Sequence, residues 1–217
     1  MSILVAITGG SGSGKSTLAE GLAAALPAGA AVLVSEDWYY KDCSLFPDFD
    51  AATFDFDDIR IRDHDLLVAH LRALKAGQAI SAPVYDFATH SRTADAGRRI
   101  EPSEVLIVEG ANVICNAEVA DLFDLRIYLD TPDDVRFIRR LLRDQEHRGR
   151  TARSVIDQYL ATVRPAHFRL THPSREHADL IVHDPSTTVD HPDHGAVMAL
   201  VRPLLRHPVL AAFAGAD

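Results

Sequence analysis

Cysteine is scarce in this chain of 217 residues: Cys43 and Cys115 are far apart and form no CxxC pair, which argues against a disulfide framework or a thiolate zinc site. Long apolar runs are missing too. The most hydrophobic stretch, GLAAALPAGAAVLV at 21–34, is broken by Pro27 and falls short of the roughly 18 apolar residues a membrane span needs. No basic leader precedes ILVAIT at 3–8, so neither a secretory signal nor a transit peptide is expected. A cytoplasmic protein with no membrane partner is the simplest placement. Excess positive charge is also absent, since 22 Lys and Arg against 31 Asp and Glu leave −9. That field disfavours nucleic acid and anionic lipid, so any phosphate site has to be local.

What is present is an ordinary globular composition, 47% hydrophobic and 24% charged, long enough for a substantial core in one domain spanning 1–217. Short β-branched runs at 3–8, 31–35, 105–109, 125–129 and 179–182 read as strands buried on both faces. Helical periods at about 16–26, 63–76, 132–147, 152–165 and 194–206 alternate with them, which predicts βαβ units around a parallel sheet. Residues 36–62 fit least well. They carry Trp38, Tyr39, Tyr40, Phe46, Phe54 and Phe56 among many aspartates, the composition of a substrate lobe or of a surface excursion plugged onto the core. Before the helix at 132, Thr131 reads as N-cap and Pro132 as N1, with Asp133 and Asp134 complementing the helix dipole.

Directly after the first strand comes GGSGSGKST, in which Gly9, Gly14, Lys15 and Ser16 satisfy GxxxxGK[ST]. In this strand-loop-helix setting the loop aims backbone N–H groups at an anion, and the helix adds its N-terminal dipole. Lys15 is expected on the β- and γ-phosphates and Ser16 on magnesium. The motif implies a nucleoside triphosphate but not the acceptor. Glu109, closing the strand VLIVE, is a candidate second magnesium anchor. Asp37, just past the second strand, could accept a hydroxyl proton, although its position suits capping equally well.

Segment 136–150, RFIRRLLRDQEHRGR, holds Arg136, Arg139, Arg140, Arg143, Arg148 and Arg150. In an acidic chain this predicts a local anion site, with Gly149 allowing the segment to close as a lid. In PVYDFATHSR, His90 lies near Tyr85, Phe87 and Arg92, a mixture suited to a flat polar ligand. His191 and His194 lack a ligand pattern and read as surface residues.

Taken together, GGSGSGKST, SEDWYYKD at 35–42, PVYDFATHSR at 83–92, VEG at 108–110, DLFDLRIYLDTPDDVRFIRRLLRDQEHRGR at 121–150 and QYLATVRPAH at 158–167 resemble the uridine-cytidine kinases, within the phosphoribulokinase and pantothenate kinase group. The likeness covers about 3–182. It implies an α/β P-loop NTPase-type three-layer fold with a mainly parallel sheet, an inserted substrate lobe at about 38–100 and a lid at about 139–152. It implies transfer of the γ-phosphoryl group of ATP or GTP to the 5′-hydroxyl of uridine or cytidine, with magnesium.

By the same resemblance Asp37 is the base, with Lys15 and Arg143 catalytic and Ser16 and Glu109 in the metal shell. Gly9, Gly10, Ser11, Gly12, Ser13, Gly14, Lys15, Ser16, Thr17 and Arg148 are implied at the triphosphate. Asp57 is implied on the ribose hydroxyls, and Tyr85 and His90 on the pyrimidine edge. Phe87, Arg140, Arg150 and Gln158 are implied at the nucleoside. Family members are commonly tetrameric, which implies a homo-oligomer. Three departures stand out: Asp58-Ile59 where the family usually has His-Pro, Ala111-Asn112 where bulky aliphatics are usual, and Thr187 where an acidic nucleotide contact is expected. They leave open a related kinase for another small alcohol, such as pantothenate, nicotinamide riboside or a sugar phosphate. A non-catalytic ATP-binding regulator is the reading from a different class.

Overall fold

The computed structural model describes residues 2–47, 49–50, 54–93, 97–185 and 193–213. Thr187 and His191 lie outside the described residues. In chain order the elements are β1 (Ile3–Thr8), α1 (Lys15–Ala25), β2 (Ala31–Ser35), α2 (His64–Lys75), β3 (Ile80–Ala82), β4 (Tyr85–Asp86), β5 (Ser91–Arg92), β6 (Arg98–Ile100) and β7 (Val105–Gly110). There follow α3 (Ala117–Ala120), β8 (Leu125–Asp130), α4 (Asp133–Arg148), α5 (Ala152–Gln158), α6 (Arg164–Ala166), β9 (Leu180–His183), α7 (His194–Leu205) and α8 (Pro208–Ala211).

The β-branched runs form a parallel sheet ordered β2-β7-β1-β8-β9. Because side chains alternate along a strand, β1 sends Leu4 and Ala6 to one face and Val5 and Ile7 to the other. The first face is covered by α2 through Leu67, Leu71 and Leu74, and the second by α1 and α7 through Leu18, Leu22, Val201 and Leu204. Three layers result, and burying each of these leucines contributes roughly 1.5–3 kcal/mol. Gly21 lets α7 sit close on α1, since a Cβ there would lie 2.4 Å from Val197 Cγ1. Within 38–100, α2 therefore belongs to this core. Tyr39, with Trp38 against it, joins that core too, whereas Tyr40, Ile61 and Tyr85 form a separate cluster with Phe46, Phe54 and Phe56.

Three local expectations need correction. The outer strands are not buried on both faces: among the described residues β9 pairs only with β8 and leaves Ile181 40% exposed, while most of β2 is half-buried. Thr131 is not the N-cap of α4. Pro132 takes that position, and the Thr131 hydroxyl instead donates to the Ser13 carbonyl at 2.9 Å. The helical run from 152 also does not stop at Pro165. A π-helical turn at Tyr159–Val163 precedes α6, where Pro165 occupies the first turn, and the run continues to His177. A wide turn accommodates the N–H that proline lacks.

Candidate active site

The sheet register gathers the site. Ile7 of β1 and Ser35 of β2 both pair with Glu109 of β7, so the loops leaving these three strands emerge together at the carboxyl edge, where the strand order switches. After β1 the chain turns through Gly9, Gly10, Ser11, Gly12, Ser13 and Gly14 into α1, whose first residues are Lys15, Ser16 and Thr17. Gly12 has φ +79°, and a Cβ there would lie 2.2 Å from the Arg136 carbonyl oxygen; only glycine fits both demands.

Arg136 is correspondingly not part of an open anion site. It is 3% exposed and lies beneath the loop. Its Nε donates to the Thr131 carbonyl and its Nη1 to that of Ser11, while Nη2 reaches Asp133 and lies 3.0 Å from His167 Nε2. The loop opens on a cavity of about 520 Å3. Gly12 to Leu18 form its floor, Arg139, Leu142, Arg143, Glu146 and His147 of α4 one wall, and Ala196, Val197 and Leu200 of α7 another.

Beside the loop, the Ser16 hydroxyl donates to Glu109 Oε2 at 3.0 Å and the Ser35 hydroxyl to Oε1 at 2.5 Å. Burial pushes the Glu109 carboxyl above the usual range, Lys15 opposing and the Asp37 charge adding. Among the described residues no three His, Cys, Asp or Glu side chains gather into a metal cluster. One hydroxyl and one buried carboxylate side by side nevertheless suit magnesium, which takes few protein oxygens and completes its shell with water and phosphate. Glu36, next to Asp37 and fully buried, is a brace: its Oε1 lies 2.8 Å from His64 Nε2, and its Oε2 accepts from the Asn112 N–H at 3.0 Å.

Asp37 is held at the turn after β2, where its backbone N–H meets the Ser35 hydroxyl at 3.3 Å, and its side chain is 45% exposed. It faces a second cavity of about 860 Å3. Ser11, Asp57, Tyr85, Phe87, His90, Arg140, Arg150 and Gln158 line that cavity with it. Lys15, Arg143 and His147 border both cavities, so the two spaces are neighbours, and Asp37 lines the second.

The ring-lined end of the second cavity is built by the β4–β5 hairpin. Tyr85 stacks on Tyr40 at 5.0 Å, its hydroxyl 3.5 Å from Cys43 Sγ, a weak partner. His90 stacks on Phe56 at 4.7 Å and sits at φ +54°, a left-handed conformation uncommon for residues other than glycine. Its Nδ1 is buried with no hydrogen-bond partner among the described residues, and burial lowers its pKa. Phe87 stays 42% exposed under the Arg148 guanidinium. At the other end, burial pushes the Asp57 carboxyl up, against the pull of Arg140 and Arg62. Arg140 ties the phosphate loop to α5, donating to Ser11 Oγ at 2.9 Å and to Gln158 Oε1 at 3.0 Å.

The arginine-rich segment is organised by a residue that sequence reasoning passed over. Asp144 is fully buried, with Arg140, Arg143, Arg148 and Arg150 at 3.7, 2.9, 3.6 and 3.8 Å. Gly149 ends α4 at φ +61°, and the turn brings the Arg150 N–H back to the Asp144 carbonyl. Arg148, expected at the triphosphate, lines the second cavity, because it follows Asp144 by four residues and so shares the helix face of Arg140. His147 and Arg62 were also missed. The spacing 140, 144, 148 is the signal that could have found Asp144.

The family model described as Phosphoribulokinase / Uridine kinase family matches residues 4–189. The chain belongs to this family. The uridine kinase of Clostridium novyi (strain NT) is 41% identical over 180 residues, covering 83% of this chain and 86% of its own. That of Oceanobacillus iheyensis is 39% identical over 180 residues, covering 83% and 85%. Among solved structures, phosphoribulokinase from Rhodobacter spheroides superposes with a TM-score of 0.60 at 18% identity, over 88% of this chain and 73% of its own, a likeness of fold. As a member of the phosphoribulokinase/uridine kinase family the chain is a phosphotransferase with an alcohol as acceptor. No helix among the described residues is long and apolar enough to cross a membrane.

Proposed function

We propose that this kinase transfers the γ-phosphoryl group of ATP or GTP to the 5′-hydroxyl of uridine or cytidine, with Asp37 as the general base. The observation that carries this reading is the pairing of two cavities: a triphosphate cradle and a ring-lined pocket share Lys15 and Arg143 as lining, and Asp37 lines the second. The curated relatives at about 40% identity are named uridine kinases, which supports the choice of acceptor.

In this mechanism the backbone N–H groups from Gly9 to Thr17 hold the triphosphate, and Lys15 and Arg143 balance charge on the transferring group. Magnesium, held through Ser16 and Glu109, would neutralise charge on the β- and γ-phosphates. Asp37 accepts the proton of the attacking hydroxyl, and Asp57 with Arg140 holds the ribose. Phe87, Tyr85 and His90 take the base. Arg150 and Gln158 complete the wall. Arg148 contributes over Phe87. A cytoplasmic location and assembly into a homo-oligomer go with the same family reading.

The test is product identification by 31P NMR after incubation with magnesium, ATP and, separately, uridine, cytidine, pantothenate and nicotinamide riboside. A pyrimidine nucleoside 5′-monophosphate is expected. Turnover confined to pantothenate or nicotinamide riboside would overturn the acceptor assignment and leave the triphosphate site standing.

A further inference from the structure

Arg62 stands in the acceptor cavity without a role in the mechanism above. Its side chain is 3% exposed, and its guanidinium carbon lies 3.4 Å from the Tyr40 ring centroid. Nη1 donates to the Phe56 carbonyl at 3.2 Å, and Nη2 reaches Asp37 Oδ1 at 3.5 Å. A guanidinium carries five N–H donors, and the Nε–H of Arg62 has no hydrogen-bond partner among the described residues. Leaving such donors buried and unfilled is costly. Arg60, two residues earlier, shows the ordinary alternative: it is 84% exposed and closed on Asp58.

The position of Arg62 narrows what would fill it. Asp37 marks the attacking hydroxyl, and the Asp57 carboxyl is within the electrostatic reach of Arg62. The ring-lined end, where a base would stack, belongs to Tyr85, Phe87 and His90. The fork fixed on Tyr40 therefore faces the sugar. With carboxylates already supplying counter-charge, the guanidinium N–H groups not spent on Phe56 and Asp37 call for a neutral oxygen rather than a second anion. We propose that Arg62 is a specificity-determining residue that hydrogen-bonds a ribose oxygen of the acceptor between Asp37 and Asp57. This rests on the nucleoside kinase reading.

The experiment compares kcat/KM for uridine, 2′-deoxyuridine and 3′-deoxyuridine in the wild type, Arg62→Met and Arg62→Lys, with the KM for ATP measured alongside. Methionine keeps an unbranched apolar stem and removes every donor. The expected result is that discrimination against at least one deoxy acceptor shrinks by about 10–100-fold in Arg62→Met while the KM for ATP is unchanged. Arg62→Lys keeps the charge without the fork and should recover turnover more than discrimination; it carries the test if the methionine variant fails to fold. Discrimination equal to wild type in a folded variant would make Arg62 a strut and overturn the inference. A wild type inert on every pyrimidine nucleoside would instead sink the nucleoside kinase reading, and this inference with it.

Discussion

Replacing Asp144 by asparagine removes the negative charge at the centre of Arg140, Arg143, Arg148 and Arg150 while keeping the side chain's shape. The carboxylate is fully buried, and four guanidinium groups lie within 3.8 Å of it. Deleting one partner of a buried ion pair costs about 3–5 kcal/mol, because the other charge is left uncompensated. Here the strandedness is uneven. Arg143, Arg148 and Arg150 are 40%, 39% and 27% exposed and can turn towards water, whereas Arg140 at 9% cannot. The expected loss is therefore nearer about 2–3 kcal/mol, a fall in Tm of roughly 5–10 °C for a chain of this size. Because Arg140, Arg143 and Arg150 also line the acceptor cavity, the KM for the nucleoside should rise about tenfold or more. Calorimetry and steady-state kinetics on the same preparation read both effects. A Tm within about 1 °C of wild type with an unchanged KM would refute the reasoning, since it would mean that Asp144 holds none of these arginines in place.

Two further perturbations test the floor beneath the triphosphate. Gly12→Ala demands both a left-handed backbone at φ +79° and a Cβ pressed on the Arg136 carbonyl, so denaturant unfolding should show a loss of about 2–4 kcal/mol and titration a loss of triphosphate affinity. His167 is held neutral by burial and by the Arg136 guanidinium, which lower its pKa to about 4 from 6.5. A group depressed on folding takes up its proton more readily when unfolded, so stability is full above about pH 6.5 and falls as the pH drops towards 4, by up to on the order of 3 kcal/mol. His167→Gln should flatten that part of the Tm-against-pH curve, and an unchanged slope would contradict the buried neutral imidazole.

The sheet and the phosphate loop were legible because their signals are local: β-branched runs of strand length, and a glycine pattern between strand and helix. Asp37 and Glu109 were legible as strand-end acids, but their juxtaposition needed the register that pairs Ser35 and Ile7 with Glu109. What escaped depends on which face of an element turns inward. Nothing in RIRD distinguishes exposed Arg60 from buried Arg62, and the arginines of α4 look alike until the helix packs. Arg136 then lies under the loop, Arg139 and Arg143 border the triphosphate cavity, and Arg140 and Arg148 turn to the acceptor around Asp144. The start of α4 was misread by one position because Thr131 has a tertiary partner, the Ser13 carbonyl, that competes with capping.

The proposed mechanism turns on Asp37 taking the acceptor's proton in the cavity it lines. Single-turnover kinetics of Asp37→Asn with magnesium, ATP and uridine, paired with calorimetric titration of uridine, test it most directly. The amide keeps the size and polarity of the carboxylate but accepts no proton, so the rate should fall by roughly 10²–10⁴-fold while uridine affinity largely survives. A near-normal rate in this variant would contradict the account.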